Sequence, residues 1–421
     1  MSGTTDAPPV RRLADWDDGR LTELARTHGT PLYVIDLARI RENCARLRSA
    51  FPDADVRYAA KANAAGAVLE TVRDAGLGVE CASAGEVVRA RRAGFPGDRL
   101  HYTAVNPPAR DLDRVLAIRA EATGLTITAG AVDTLDRLAE RGYDGRLCVR
   151  VNPGVGAGHH EKVRTGADAT FGVPYDRAES VVREATSRFD VVGIHAHAGS
   201  GIDADQLDRH RELVARMGAL ATSLSDIDLE YVDVGGGFGV PYRETEPPLD
   251  LSAVAAATRR ELADALDDPK GAPNLAVEPG RYVVADAGVL LTEVNTVKPT
   301  PGSTVVGVDA GMTDLLRPAM YDAYHPIRPL NGDGEDVPTT VAGPICESSD
   351  VFCTDRPLPR VERDDRLAVG IVGAYGYEMA SHYNTRPRPA EVAVDGDTSR
   401  VIRERETIAD VLATEPDTDR P

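Results

Sequence analysis

The sequence predicts an α/β protein: a (β/α)₈ TIM barrel followed by an antiparallel β domain of sandwich or small-barrel type. Three observations lead there. Eight short β-rich runs alternate with helical patterns between residues 56 and 280. Polar and glycine residues gather at the C-terminal ends of those runs, the face where barrels carry their chemistry. Beyond about residue 281 the texture changes to strands joined by Pro- and Gly-rich turns. The expected division is a barrel over 32–280 and a β domain over 1–31 and 281–421, to which the N-terminal arm could add a strand.

In chain order, a polar arm leads into PLYVIDLARI, an apolar strand running into a helix. The eight barrel runs are then VRYAAKAN (56–63), GVECAS (78–83), LHYTAVN (100–106), LTITAG (125–130), RLCVRVNP (146–153), VVGIHAHAG (191–199), YVDVGGG (231–237) and LAVEPG (275–280). Between them lie Ala-, Leu-, Arg- and Glu-rich segments such as GEVVRARRAG and LSAVAAATRRELADALDD, whose apolar positions recur at helical spacing. A doubly wound open sheet is the rival architecture, but it usually places fewer strands in one run. In the last part, TVVGVDAG, TTVAGPIC, RLAVGIVGA and PAEVAVDG are strands, and helical period returns only at TIADVLA.

Composition removes several function classes. The net charge is −19, and no basic run exceeds two or three residues, which argues against nucleic-acid binding. No apolar run approaches 18 residues, so no membrane span is expected. The first twenty residues lack the apolar core of a secretory signal, and a cytoplasmic location is expected. Acidity together with only four lysines suits the surface of a protein from a salt-loaded, halophilic cytoplasm, where screening tolerates self-repulsion. Five cysteines without close pairing predict neither a zinc ribbon nor a disulfide framework.

Among so few lysines, Lys61 stands at the end of an apolar run, followed by Asn63. Lysine can form a Schiff base where arginine cannot, so a primary amine is needed there, although a lysine snorkelling from a barrel rim fits the eight residues equally. Gly235-Gly236-Gly237 follows the seventh run. Three glycines let backbone N–H groups turn inward as a phosphate nest, or simply make a tight turn. His195 and His197 alternate onto one face at the end of the sixth run, which makes a metal pair conceivable, but no third ligand is evident and no metal is expected. Glu278, fixed by Pro279 and followed by Gly280 and Arg281, could hold a pyridine nitrogen protonated or pair internally with Arg281. Cys346 sits in the turn Gly343-Pro344-Ile345-Cys346-Glu347, exposed enough to donate a proton.

Jointly, these five stretches resemble the diaminopimelate decarboxylase family, fold-type III pyridoxal phosphate-dependent decarboxylases built from a barrel and a β domain. The resemblance spans roughly residues 30 to 385. It implies that Lys61 carries pyridoxal 5'-phosphate, that His197 lies against its ring, and that Glu278 pairs with the pyridine nitrogen. Ser200, Gly235, Gly236, Gly237, the backbone of Glu278–Arg281 and Tyr375 are implied to hold the phosphate. Cys346 is the implied proton donor, reaching the barrel of a second copy, hence a homodimer. Glu80 stands where the family commonly has Asp, and nothing is assigned to the loop at 154–166.

Within this family the substrate turns on the segment Asp309–Tyr321. Arg281, Arg317 and Tyr321 offer two guanidinium forks and a hydroxyl, a set suited to a distal carboxylate, with Glu347 for a distal ammonium and Tyr375 nearby. The expected reaction is therefore decarboxylation of meso-2,6-diaminopimelate to L-lysine, the last step of lysine biosynthesis. A decarboxylase of ornithine, arginine or a carboxylated polyamine is the alternative, and a pyridoxal phosphate carrier protein the alternative from another class.

Overall fold

The computed structural model describes residues 8–155, 171–197, 199, 206–266, 272–330 and 334–416. They form two compact units, one of Ile40–Val240 with Pro248–Val283, the other of Ala7–Arg39, Pro241–Pro247 and Val284 onward. The first strand, β1 (Leu32–Asp36), belongs to the second unit.

The first unit contains β2 (Asp55–Ala59), β3 (Gly78–Cys81), β4 (Leu100–Thr103), β5 (Thr126–Ala129), β6 (Arg146–Asn152), the two-residue β7 (Val173–Pro174), β8 (Asp190–His195), β9 (Tyr231–Asp233) and β10 (Asn274–Val277). Every pairing among them is parallel, in the order β5-β4-β3-β2-β10-β9-β8-β6, and β5 pairs with β6 to close the ring. This is the eight-stranded barrel expected from the sequence, with β7 as an addition beside β6. Strands enclosed on both sides need no polar face, and β3, β4, β5 and β9 are buried at every position. Helices between strands start at chosen residues: Ser83 Oγ accepts the N–H of Glu86, and Asp250 Oδ1 that of Ala253.

The observed strands stop earlier than the runs that predict them. β2 ends at Ala59, and Lys61 lies in a single 3-10 turn, Ala60–Ala62, so it is aimed by a turn beyond the strand. The interior also contains charge. Arg57 Nη1 donates to Asp233 Oδ2 at 2.9 Å, with both side chains buried, and the guanidinium lies 4.0 Å from the Tyr231 ring centre.

The second unit adds β11 (Gly288–Thr300), β12 (Ser303–Val308), β13 (Ile327–Pro329), β14 (Asp336–Ala342), β15 (Val351–Pro359), β16 (Arg366–Gly370), β17 (Ala390–Asp395) and β18 (Thr398–Arg403). The sheet runs β15-β14-β12-β11-β1-β17-β18, with β16 pairing β11 and β13. It is mostly antiparallel, as expected, but β1–β17 and β12–β14 are parallel. Placing β1 here moves the expected boundary at residue 32 toward the C-terminus. The physical reason is alternation: Leu32 and Val34 pack with Leu13, Trp16, Val289 and Leu291, whereas Tyr33 packs on the other face with Leu290, Val306 and Val369. A strand apolar on both faces fits a sheet covered on both sides.

Candidate active site

The turn bearing Lys61 is fixed by its small neighbours. Tyr58 Oη donates to the Asn63 carbonyl at 2.9 Å, and Asn63 Oδ1 accepts the Ala65 N–H at 3.0 Å. Behind it the loop after β10 closes in. The Ala59 N–H donates to the Pro279 carbonyl at 3.1 Å, and a Cβ on Gly280 would stand 3.2 Å from Ala59 Cβ and 3.3 Å from Ala62 Cβ. A side chain there would have to push these alanines back by a few tenths of an ångström. Lys61 Nζ then reaches Glu80 Oε2 at 3.0 Å, with Glu80 buried and Lys61 41 % exposed. The acid at position 80 is thus a partner of the Lys61 amine.

Glu278 follows β10, is 6 % exposed, and faces His195 Nε2 at 3.2 Å. Burial, and next the Glu80 carboxylate, push its carboxyl up to about 7 against the opposing charges of Lys61, Arg57 and Arg150. Asp233 is likewise pushed up to about 7, by burial and then by Glu278. Burial lowers His195 to about 4, so this imidazole is neutral at pH 7. His195, Asp233 and Glu278 are the one group among the described residues with three donor atoms close enough for a metal. Arg57 already places its guanidinium on Asp233, which opposes a second cation there.

His197 lies beyond the end of β8 and is turned to another task than His195. Its Nδ1 accepts the Gly236 N–H at 3.2 Å, and burial, then Lys61 and Arg150, hold its pKa well below the usual value. A neutral ring with Nδ1 as acceptor carries its proton on Nε2. The glycine run is required by crowding. A Cβ on Gly235 would meet His197 Nδ1 at 2.6 Å and the Ala196 carbonyl at 2.7 Å, and one on Gly236 would collide with the Glu278 carbonyl. Gly235 (φ 72°) and Gly237 (φ 96°) also take left-handed backbone angles. Two of the three amides already have partners, since Gly235 N–H donates to Asp233 Oδ1 at 2.8 Å and Gly236 N–H to His197. Ser200 and residues 156–166 of the loop at 154–166 lie outside the described residues.

In the second unit, Arg317 is 3 % exposed and begins the short helix Arg317–Tyr321. Its Nη1 stands 2.8 Å from His325 Nε2, and His325 Nδ1 stands 2.9 Å from the Gly370 carbonyl. The carbonyl can only accept, so the imidazole donates from Nδ1 and accepts the guanidinium N–H at Nε2. Tyr242 places its ring 4.8 Å from that guanidinium. Tyr375 takes a left-handed φ of 57°. Cys346 is exposed, with Sγ 3.5 Å from Asn384 Oδ1, and Tyr383 Oη donates to Glu347.

The motifs thus divide cleanly: Lys61, His197, Gly235–Gly237 and Glu278–Arg281 in the barrel unit, Arg317, Tyr321, Cys346, Glu347 and Tyr375 in the other. Sequence reading missed Asp233, Arg150 and His325. Asp233 and Arg150 could have been found as charged residues inside otherwise largely apolar strand runs. His325 gives no such signal, since it lies in a loop.

Residues 37–285 match the family model described as pyridoxal-dependent decarboxylase, pyridoxal binding domain. A diaminopimelate decarboxylase of Methanothermobacter thermautotrophicus is 43 % identical over 403 residues, covering 93 % of this chain and 92 % of that protein. One from Escherichia coli is 37 % identical, covering 94 % and 96 %. A crystal structure of diaminopimelate decarboxylase from Helicobacter pylori, complexed with L-lysine, superposes with a TM-score of 0.85 at 33 % identity, covering 93 % and 98 %.

Proposed function

The chain belongs to the pyridoxal-dependent decarboxylases, and from that premise we propose that it converts meso-2,6-diaminopimelate to L-lysine and carbon dioxide. The observation that carries this most is the amine of Lys61 in the turn just beyond β2, paired to Glu80, in a barrel whose last strand leads into Glu278. Identity of 34–43 % to curated diaminopimelate decarboxylases supports the choice of reaction.

The barrel residues fit pyridoxal 5'-phosphate. There is a primary amine for its aldehyde, a buried carboxyl for its pyridine nitrogen, and beside them a glycine run whose left-handed turns carry no side chain. Lys61, His197 and Glu278 would hold the aromatic part, and Ser200, Gly235, Gly236, Gly237, the backbone of Glu278–Arg281 and Tyr375 the phosphate. When bound, the cofactor supplies the electron sink that makes loss of carbon dioxide feasible.

The chain's own residues do the rest. Glu80 holds the Lys61 amine in place. Glu278, as a carboxylate facing the pyridine nitrogen, would favour the protonated ring. Arg281, Arg317 and Tyr321 take the distal carboxylate, and Glu347 takes the distal ammonium. A substrate ending in a bare ammonium would meet an unmatched guanidinium, a mismatch on the order of several kcal/mol. Cys346 delivers the proton to the carbon that has lost its carboxylate, serving the barrel of a second copy, so the active protein is a homodimer. A cytoplasmic setting of high salt completes this reading. No helix among the described residues is long and apolar enough to cross a membrane, which is consistent with it.

Carbon dioxide release from meso-diaminopimelate, ornithine, arginine and lysine, each offered to the holoenzyme, tests the proposal. The expected result is turnover of diaminopimelate alone. Comparable release from ornithine or lysine removes the guanidinium clamp from the account.

A further inference from the structure

Asp350 follows the Cys346 turn and belongs to none of the motifs above. Its carboxylate is 3 % exposed and, among the described residues, enters no ion pair. Instead it accepts two backbone N–H groups from two separate segments. Oδ2 takes the N–H of Ile345, the residue before Cys346, at 2.6 Å. Oδ1 takes the N–H of Met312, in the turn that leads to Arg317, at 2.5 Å. The Gly343 N–H adds a third bond, to the Asp350 carbonyl at 2.9 Å.

The two segments are also squeezed together around this carboxylate. A Cβ on Gly311 would lie 2.9 Å from Pro344 Cδ and 3.0 Å from Asp350 Oδ2, while one on Gly343 would collide with both carboxylate oxygens. Glycine on each side is what allows the approach. The second turn is braced independently, since Asp314 Oδ2 accepts the Gly311 N–H at 2.8 Å. Burying a carboxylate costs free energy unless its oxygens are satisfied, and burial does push this carboxyl up while the two amides pull it down. A buried acid whose oxygens are met by amides from two loops, with the Arg386 charge also favouring its ionised form, sets the distance between those loops.

We propose that Asp350 is a positioning residue that holds the Cys346 turn in register with the segment carrying Arg317. The proposal rests on the roles given to Cys346 and Arg317 above. Asp350 touches neither side chain. It acts by fixing the backbone one residue before the thiol and five residues before the guanidinium, so proton delivery and substrate clamping are tuned together. Asparagine is the informative substitute, because it replaces one acceptor oxygen by an NH₂ facing an amide N–H.

The experiment compares holoenzyme carrying Asp350→Asn, Cys346→Ala and both. For Asp350→Asn the expected outcome is a loss in kcat of about 10-fold or more and a several-fold rise in KM, with the visible absorbance of bound cofactor unchanged. Added to Cys346→Ala, it should lower kcat by less than about twofold further, because it acts on proton delivery through that thiol. Alkylation of Cys346, the one exposed cysteine, should change in rate by about fivefold or more. Retention of kcat and KM within twofold overturns the proposal, as does loss of the cofactor band together with activity. If Cys346→Ala keeps full turnover, the proton-donor assignment falls instead, and the changes in alkylation rate and KM decide the fate of Asp350. Should Asp350→Asn fail to fold, Gly311→Ala applies a milder push against the same carboxylate and must give the same signature.

Discussion

At the scale of single residues, an amine and a carboxylate 3.0 Å apart explain why position 80 is acidic. Glu80 is itself buried, so its carboxylate meets the lysine amine largely out of reach of solvent. Chemistry at Lys61 needs this one primary amine, so Lys61→Ala should leave the protein colourless after incubation with pyridoxal 5'-phosphate. Decarboxylation should fall by at least about three orders of magnitude. Absorbance spectra and carbon dioxide release check both. Lys61 and Glu278 were legible as candidates because each ends an apolar run with a residue that packing alone would not choose. The raised pKa of Glu278 was not legible, since it depends on burial and then on Glu80, Lys61, Arg57 and Arg150, which three other segments supply.

At the scale of elements, the loops after β9 and β10 interlock through glycine. The Glu278 N–H donates to the Gly235 carbonyl at 2.9 Å, and Gly236 lies against the Glu278 carbonyl. A run of glycines signals close approach, but the partner being approached is set only when strands distant in sequence become neighbours. A second latch closes the β unit. Glu406, between β18 and the helix Ile408–Leu412, accepts Arg388 Nε and the Arg388 N–H, each at 2.9 Å, and pairs with His382 at 2.6 Å. Burial raises its pKa, but these bonds outweigh that and bring it from 4.5 down to about 2. A depressed carboxylate stabilises the fold above its unfolded value and loses that contribution as pH falls through its folded value. Glu406→Gln should therefore cost roughly 2 kcal/mol near neutral pH, shrinking toward zero between pH 4.5 and about 2. Denaturant titrations of both proteins across that range measure it.

At the scale of the whole molecule, a net charge of −19 on 421 residues makes self-repulsion part of the stability balance. Screening shortens the reach of that repulsion to roughly 3 Å at 1 M ionic strength. The melting temperature should rise by several degrees between dilute buffer and molar KCl, as a thermal scan would record; a flat response would remove the high-salt assignment. The buried pair of Arg57 and Asp233 lies beyond the reach of this screening, so the barrel interior keeps its electrostatics as salt changes.

Apolar periodicity, turn residues and the placement of polar groups after strands determined the barrel and the β unit and marked the candidate residues for chemistry, because these signals are local along the chain. Strand endings, the allegiance of β1, and the company kept by Glu278, Arg317 and Asp350 were decided only in three dimensions. Each depends on groups brought together from positions tens to hundreds of residues apart, and no local pattern encodes which distant amide or guanidinium a buried carboxylate will meet.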